Sequence, residues 1–234
     1  MIDTIEYGKN DSLRDEIKAY WSGRAATFDL SPGHEIFSEE EREAWHALIL
    51  KHLGPGEGRS SRGRSIRFFV GDAENTMEPD ESADVIITRH LVWTLVDPRA
   101  SFAEWFRVLK PGGRLLIVDG DFVNTSWREK LVKKLAAGLE GLGLVKQDQP
   151  HKPADPENTF TSILSRVYFS NGARAGEVAA LLRQTGFQPV AIDQELQAIH
   201  RAQAKNFSLL KGILRGLQHR YAVCAVKPDI TGKT

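Results

Sequence analysis

With 234 residues, 41% hydrophobic and 26% charged, the chain lies in the ordinary globular range, and one core-forming domain over residues 1–234 is the expectation. Lysine plus arginine equals aspartate plus glutamate at 31 each, so no basic surplus points to a nucleic acid or an anionic membrane as partner, and a small molecule is the plainer ligand. A single cysteine, Cys224, excludes an intramolecular disulfide and a cysteine-rich zinc or iron–sulfur site, which suits a reducing, cytoplasmic setting.

Met1 to Asn10 has no apolar core to act as a signal peptide, and no apolar run approaches bilayer length, so a soluble protein is expected. Asp11 or Ser12 can cap a first helix through about Trp21, with Leu13, Ile17, Tyr20 and Trp21 near one face. After Ser31-Pro32-Gly33, Ser38 and Glu41 form the capping box of a second helix with apolar Ala44, Trp45, Leu48, Ile49 and Leu53. Gly54 and Pro55 stop it. Ile66 to Val70 then reads as a strand ending at Gly71-Asp72, and Asp84 to Thr88 as another, apolar enough to be buried on both faces.

Asp97 and Pro98 open a helix in the preferred N-cap and N1 positions. Phe102, Trp105, Phe106 and Leu109 form its buried stripe, and Pro111-Gly112-Gly113 ends it before a strand over Leu115 to Val118. Strand, helix, strand is the βαβ unit of a parallel sheet. Beyond Asp119 comes a helical excursion with Trp127, Leu131, Leu135 and Leu139 on one side, then a polar loop from Gln147 to Asn158 that reads as a lid. A helix over Gly176 to Gln184, a strand over Gln188 to Asp193, a helix over Phe207 to Leu217 and a strand over Tyr221 to Val226 complete the pattern.

Between Ile66 and Gly120, four features stand in a fixed order. One strand ends in Gly71-Asp72-Ala73-Glu74, and a second in Arg89-His90-Leu91 followed by Trp93. Asp97-Pro98 then opens a helix, and Leu109-Lys110-Pro111-Gly112-Gly113 precedes a third strand. In this order the chain resembles class I S-adenosylmethionine-dependent methyltransferases of the small-molecule type. The run from Tyr20-Trp21 through Arg24 to Phe28-Asp29 is similar to the amino-terminal helix that covers the cofactor in many members.

The resemblance implies a Rossmann-like, doubly wound α/β fold whose mostly parallel sheet has an antiparallel edge strand. Amino-terminal cap helices would occupy 1–53, the cofactor core 66–120, a helical insertion or lid 121–185, and carboxyl-terminal strands and helix 186–227. It also implies S-adenosylmethionine as cofactor, a small-molecule methyl acceptor, no metal, neither nucleic acid nor membrane as partner, and room for a homodimer. The cofactor-binding residues it points to are Tyr20, Trp21, Arg24, Phe28, Asp72, Ala73, Glu74, Arg89, His90 and Leu91; His90 and His34 are the candidate bases for the methyl acceptor.

Ligands of open α/β sheets sit at the carboxyl ends of strands, where Asp72 and Arg89-His90-Leu91 fall. Asp72 there can accept the adenine amino hydrogens or cap its own backbone after Gly71. His90 fits either a packed histidine or a group beside the transferred methyl, and Trp93 reads as core. Tyr20, Trp21 and Phe28 suit a wall around a sulfonium as well as plain helix packing.

The family's glycine loop between a first strand and helix has no counterpart. A βαβ unit needs roughly 30 residues or more, and only Gly54 to Ser65 separate Leu53 from Ile66. Gly54-Pro55-Gly56-Glu57-Gly58 matches the loop as a string but follows a helix, so it reads as a helix stop and linker. A methyltransferase-like binding module without catalysis is therefore the alternative function. A nicotinamide-dependent enzyme is a third, weakened by the lack of a glycine fingerprint after a strand.

Overall fold

The computed structural model describes residues 7–25, 35–55, 71–141 and 157–229. The expected strand Ile66–Val70, most of the polar loop from Gln147, and Phe28 and His34 lie outside these residues.

The amino-terminal helices are α1 (Tyr7–Arg24) and α2 (Glu39–Leu53). At Ser38 the side chain accepts the Glu41 N–H at 3.1 Å, one half of the expected capping box. The other half is altered. The Glu41 carboxylate reaches the Phe37 N–H at 3.4 Å and also the Trp45 indole N–H at 3.3 Å. Gly54, at φ +75°, closes α2 by donating its N–H to the Leu50 carbonyl, a conformation that suits glycine.

The sheet holds β1 (Ala83–Arg89), β2 (Leu109–Asp121), β3 (Val190–Asp193) and β4 (His219–Val226) in the order β1-β2-β4-β3. β1 and β2 run parallel, with Ile86 opposite Leu115 and Arg89 opposite Val118. Between them lies α3 (Pro98–Val108), whose Asp97 cap accepts the N–H groups of Arg99 and Ala100 at 3.0 and 3.1 Å. β4 pairs antiparallel with both β2 and β3, so the two carboxyl-terminal strands form an antiparallel pair at one edge of the sheet, as the resemblance implies.

Side chains alternate across the sheet with the two-residue period of a strand. Leu115, Ile117, Tyr221, Val223 and Ala225 face α3 and α6 (Ala175–Thr185), with Phe102, Trp105, Leu182 and Phe187 in the same core. Leu116, Val118 and Ala222 face the other way, onto Trp45 and Leu48 of α2 and Ile199 of α7 (Gln197–Ala204). A smaller cluster joins Leu13 of α1 to Ile163 of α5 (Glu157–Leu164) and to Val167. The remaining helices are α4 (Trp127–Gly141) and α8 (Leu209–Leu217). No helix among the described residues is long and apolar enough to cross a membrane.

Two expectations need correction. β1 is not buried on both faces: Val85 is 41% and Ile87 50% exposed, because α2 and α7 cover β2 and β4 on that side and stop short of β1. Pro111-Gly112-Gly113 does not end α3. That helix finishes at Val108, and the three residues belong to β2, where Gly112 adopts φ +75° and Gly113 packs so closely that a Cβ would meet the Lys110 carbonyl at 2.7 Å. The apolar stripe of α4 faces outward, with Trp127, Leu131 and Leu135 all exposed.

Candidate functional site

At the carboxyl end of β1 the chain turns sharply. His90 adopts φ +55°, a left-handed conformation uncommon for a side-chain-bearing residue, and its N–H still donates to the Val118 carbonyl at 3.1 Å. A single 3₁₀ turn, Val92–Thr94, follows. The buried Asp119 near the end of β2 holds this turn in place, accepting the Val92 N–H at 2.8 Å on one oxygen and the Gly120 N–H at 2.8 Å on the other. Burial pushes its carboxyl up to about 6 despite these backbone donors.

A cavity of about 970 Å³ opens beside this turn, between α1 and the loop 71–78. Of the predicted site residues, Trp21, Asp72, Ala73, Glu74 and Leu91 line it. Asp72 caps its own turn, one oxygen accepting the Glu74 N–H at 2.9 Å, while the other has no donor among the described residues. Glu74 pins the walls together: one oxygen pairs with Arg14 of α1 and the other accepts the Asp97 N–H at 3.0 Å. Trp105 fixes the same loop from below by donating its indole N–H to the Ala73 carbonyl at 3.0 Å.

The other predicted residues lie apart from the cavity lining. Tyr20 stacks on Phe160 with ring centroids 5.2 Å apart, and Arg24 donates to the Tyr20 hydroxyl at 2.9 Å. The aromatic contacts continue from Phe160 to Trp93 at 5.8 Å, from Trp93 to Phe122 at 5.3 Å, and from Phe122 to the His90 ring at 5.7 Å. Rings from α1, the 3₁₀ turn, α5 and the end of β2 thus meet over the strand ends. Arg89 turns to the opposite face of the sheet, its guanidinium 4.7 Å from the centre of the Trp45 ring.

Sequence reasoning missed Asp119, Phe122 and Phe160 in this region, together with Glu41, Gln203, Arg215 and Arg220 behind it. Asp119 alone carried a signal, an acidic residue at the end of an apolar strand beside a turn. The rest come from elements far apart in the chain, and only the fold brings them together. Among the described residues no group of His, Cys, Asp or Glu could hold a metal ion.

Residues 44–117 match a family model described as a methyltransferase domain. A demethylmenaquinone methyltransferase from Paenarthrobacter aurescens is 26% identical over 185 residues, covering 75% of this chain and 68% of that protein. Another from Renibacterium salmoninarum is 22% identical over 241 aligned positions, with 82% of this chain and 93% of that protein covered. Since 82% of 234 residues is well short of 241, about fifty aligned positions of that relative have no counterpart here. Among solved structures, the phosphoethanolamine N-methyltransferase 2 of Haemonchus contortus aligns with a TM-score of 0.41 at 17% identity, over 67% of this chain and 36% of that one. The matched stretch covers β1, α3 and most of β2, together with the loop at Gly71-Asp72 and the turn at His90-Leu91, and over it the chain is similar to methyltransferase domains.

Proposed function

We propose that the chain transfers, or descends from proteins that transfer, a methyl group from S-adenosylmethionine to a small molecule, with the cavity between α1 and residues 71–78 taking the adenosyl end. The observation that carries this reading is the cavity itself, which lies at the strand ends, is of ligand size, and has a carboxylate oxygen of Asp72 without a donor among the described residues. That oxygen suits an adenine amino group, and Ala73 and Leu91 supply apolar walls. The fit is partial. Gly54 is engaged as the cap of a helix, and no described residue forms a strand–glycine loop–helix turn for the methionyl carboxylate.

Bound S-adenosylmethionine would supply an activated methyl on a positive sulfur. The protein's part is to align an acceptor and exclude water. Tyr20, Trp21, Trp93, Phe122 and Phe160 offer ring faces for that purpose, and His90 stands beside them as the candidate base for a hydroxyl or acidic carbon. Hydrogen exchange with and without S-adenosylhomocysteine tests the reading. Protection is expected at residues 71–78 and along α1; no protection there at millimolar ligand would remove it.

A further inference from the structure

Behind Phe122, on the face of the sheet that carries Arg89, lies a group of cations with few carboxylate partners. Arg220 opens β4 and is opposite Gly120 of β2, while Arg215 comes from the last turn of α8. Both donate to one oxygen of Gln218, Arg220 through Nε at 3.2 Å and Arg215 through Nη1 at 3.4 Å, which holds the two guanidiniums side by side. Arg215 also donates twice to the Gln203 side-chain oxygen, at 3.0 and 2.8 Å. All these acceptors are neutral amides.

Two carboxylates act on this group. Asp119, already occupied by backbone N–H groups of Val92 and Gly120, favours the charge on Arg220. Glu41, which acts on both arginines, is wholly buried and engaged, taking the Gln203 amide at 2.7 Å as well as Trp45 and Phe37. The Nη atoms of Arg220 have no acceptor among the described residues, and the same guanidinium lies 5.8 Å from the centre of the Phe122 ring. His200 of α7 stands among these groups, 8% exposed, with Nε2 buried and without a partner.

Partly burying adjacent guanidiniums against amides is unfavourable unless something else completes them. Its effect is visible in their acidity. Burial first, then the neighbouring arginines, lowers Arg220 to about 9 and Arg215 to about 10. Burial and then Arg220 and Arg215 hold His200 at about 4, so it is neutral at pH 7 and can offer an N–H to an anion without adding to the repulsion. Guanidinium forks match the oxygen geometry of carboxylates and phosphates.

We propose that Arg215, Arg220 and His200 form an oxyanion site that holds a carboxylate or phosphate of the methyl acceptor. Phe122 joins the two halves, since its ring touches both Arg220 and His90. The identity of the ligand as the acceptor rests on the methyltransferase reading; the oxyanion site itself does not. An acceptor with an acidic group at Arg220 and an apolar body along Phe122 would place its far end toward His90.

The test titrates inorganic phosphate and, separately, benzoate into the intact chain at constant ionic strength against chloride, following thermal unfolding and the His200 imidazole signals by NMR. Saturable stabilisation by at least one of the two, with a shift of the His200 resonances, is expected; phosphate alone, benzoate alone or both would name the acidic group. Arg220→Gln and Arg215→Gln should each weaken that anion by about tenfold or more, while the exposed Arg128→Gln should leave it unchanged. If the variants do not fold, the His200 response of the unaltered chain decides. No response to either anion, or an equal loss in Arg128→Gln, overturns the proposal. S-adenosylhomocysteine protection at 71–78 without an anion response removes this site and leaves the methyltransferase reading. An anion response without that protection does the reverse.

Discussion

One oxygen of Asp72 caps its own turn at 2.9 Å, and the other has no donor among the described residues. The sequence left open whether it caps or binds, and the geometry allows both, because a carboxylate accepts several hydrogen bonds. Asp72→Ala should therefore weaken S-adenosylhomocysteine by about 1–3 kcal/mol through the lost charge-assisted bond. Calorimetry reads the affinity, and unchanged binding removes Asp72 from the site.

Two other residues set opposing pH trends. Asp119 titrates near 6 in the folded chain against 3.8 ordinarily, so between about 4 and 6 the native state binds more protons than the unfolded state and stability falls as pH rises. His200 titrates near 4 against 6.5, so across nearly the same range the unfolded state binds more and stability rises with pH. The two trends largely cancel. Asp119→Asn should leave the His200 trend alone, giving a chain that gains stability from pH 4 to 6.5. His200→Asn should show the reverse. Urea unfolding over that range checks both, and parallel slopes in the two variants would contradict the assignments.

At the scale of elements, the sequence was most legible where local chemistry decides. Ser38, Asp97 and Gly54 cap helices where their side chains or φ demand it. It was least legible where tertiary packing decides. α7 begins at Gln197 behind Leu196, which makes no side-chain cap bond, and α5 carries two threonines in a stretch that follows polar loop sequence. Pro111-Gly112-Gly113 looked like a helix stop, yet its glycines serve an irregular stretch of β2 that exchanges backbone bonds with Lys227.

β1 shows how an absent neighbour defeats a local reading. Its run of Val85, Ile86 and Ile87 is written for burial on two faces, and one of those faces meets solvent. Ile87→Lys should consequently cost less than about 0.5 kcal/mol. Leu116→Ala, facing α2 from the next strand, should cost about 2–5 kcal/mol. Denaturant unfolding of the two variants decides, and a large loss in Ile87→Lys would mean that β1 is covered in solution.

For the whole molecule, the exposed side of β1 and the short join after α2 are two views of one fact. Only residues 54–70 separate the end of α2 from the loop at Gly71, too few for the strand, glycine loop, helix and acidic-ended second strand of the family pattern. The alignment in which about fifty positions of a relative find no counterpart agrees with that shortfall. On the proposed reading the described residues offer the adenine side of the site, and among them no strand–glycine loop–helix turn presents backbone amides to the methionyl carboxylate. Losing two to four hydrogen bonds at about 1 kcal/mol or more each moves a micromolar site towards the millimolar range. The chain as it stands should bind S-adenosylmethionine in that weak range. A version with a family strand–loop–helix–strand–helix segment inserted between Gly54 and Ile66 should bind it roughly a hundredfold tighter or more and melt at a higher temperature, as the added strand covers the edge of β1. Calorimetric titration of both forms with the cofactor and its demethylated product checks this, and micromolar affinity in the unextended chain would show that it builds the methionyl half of its pocket from other residues.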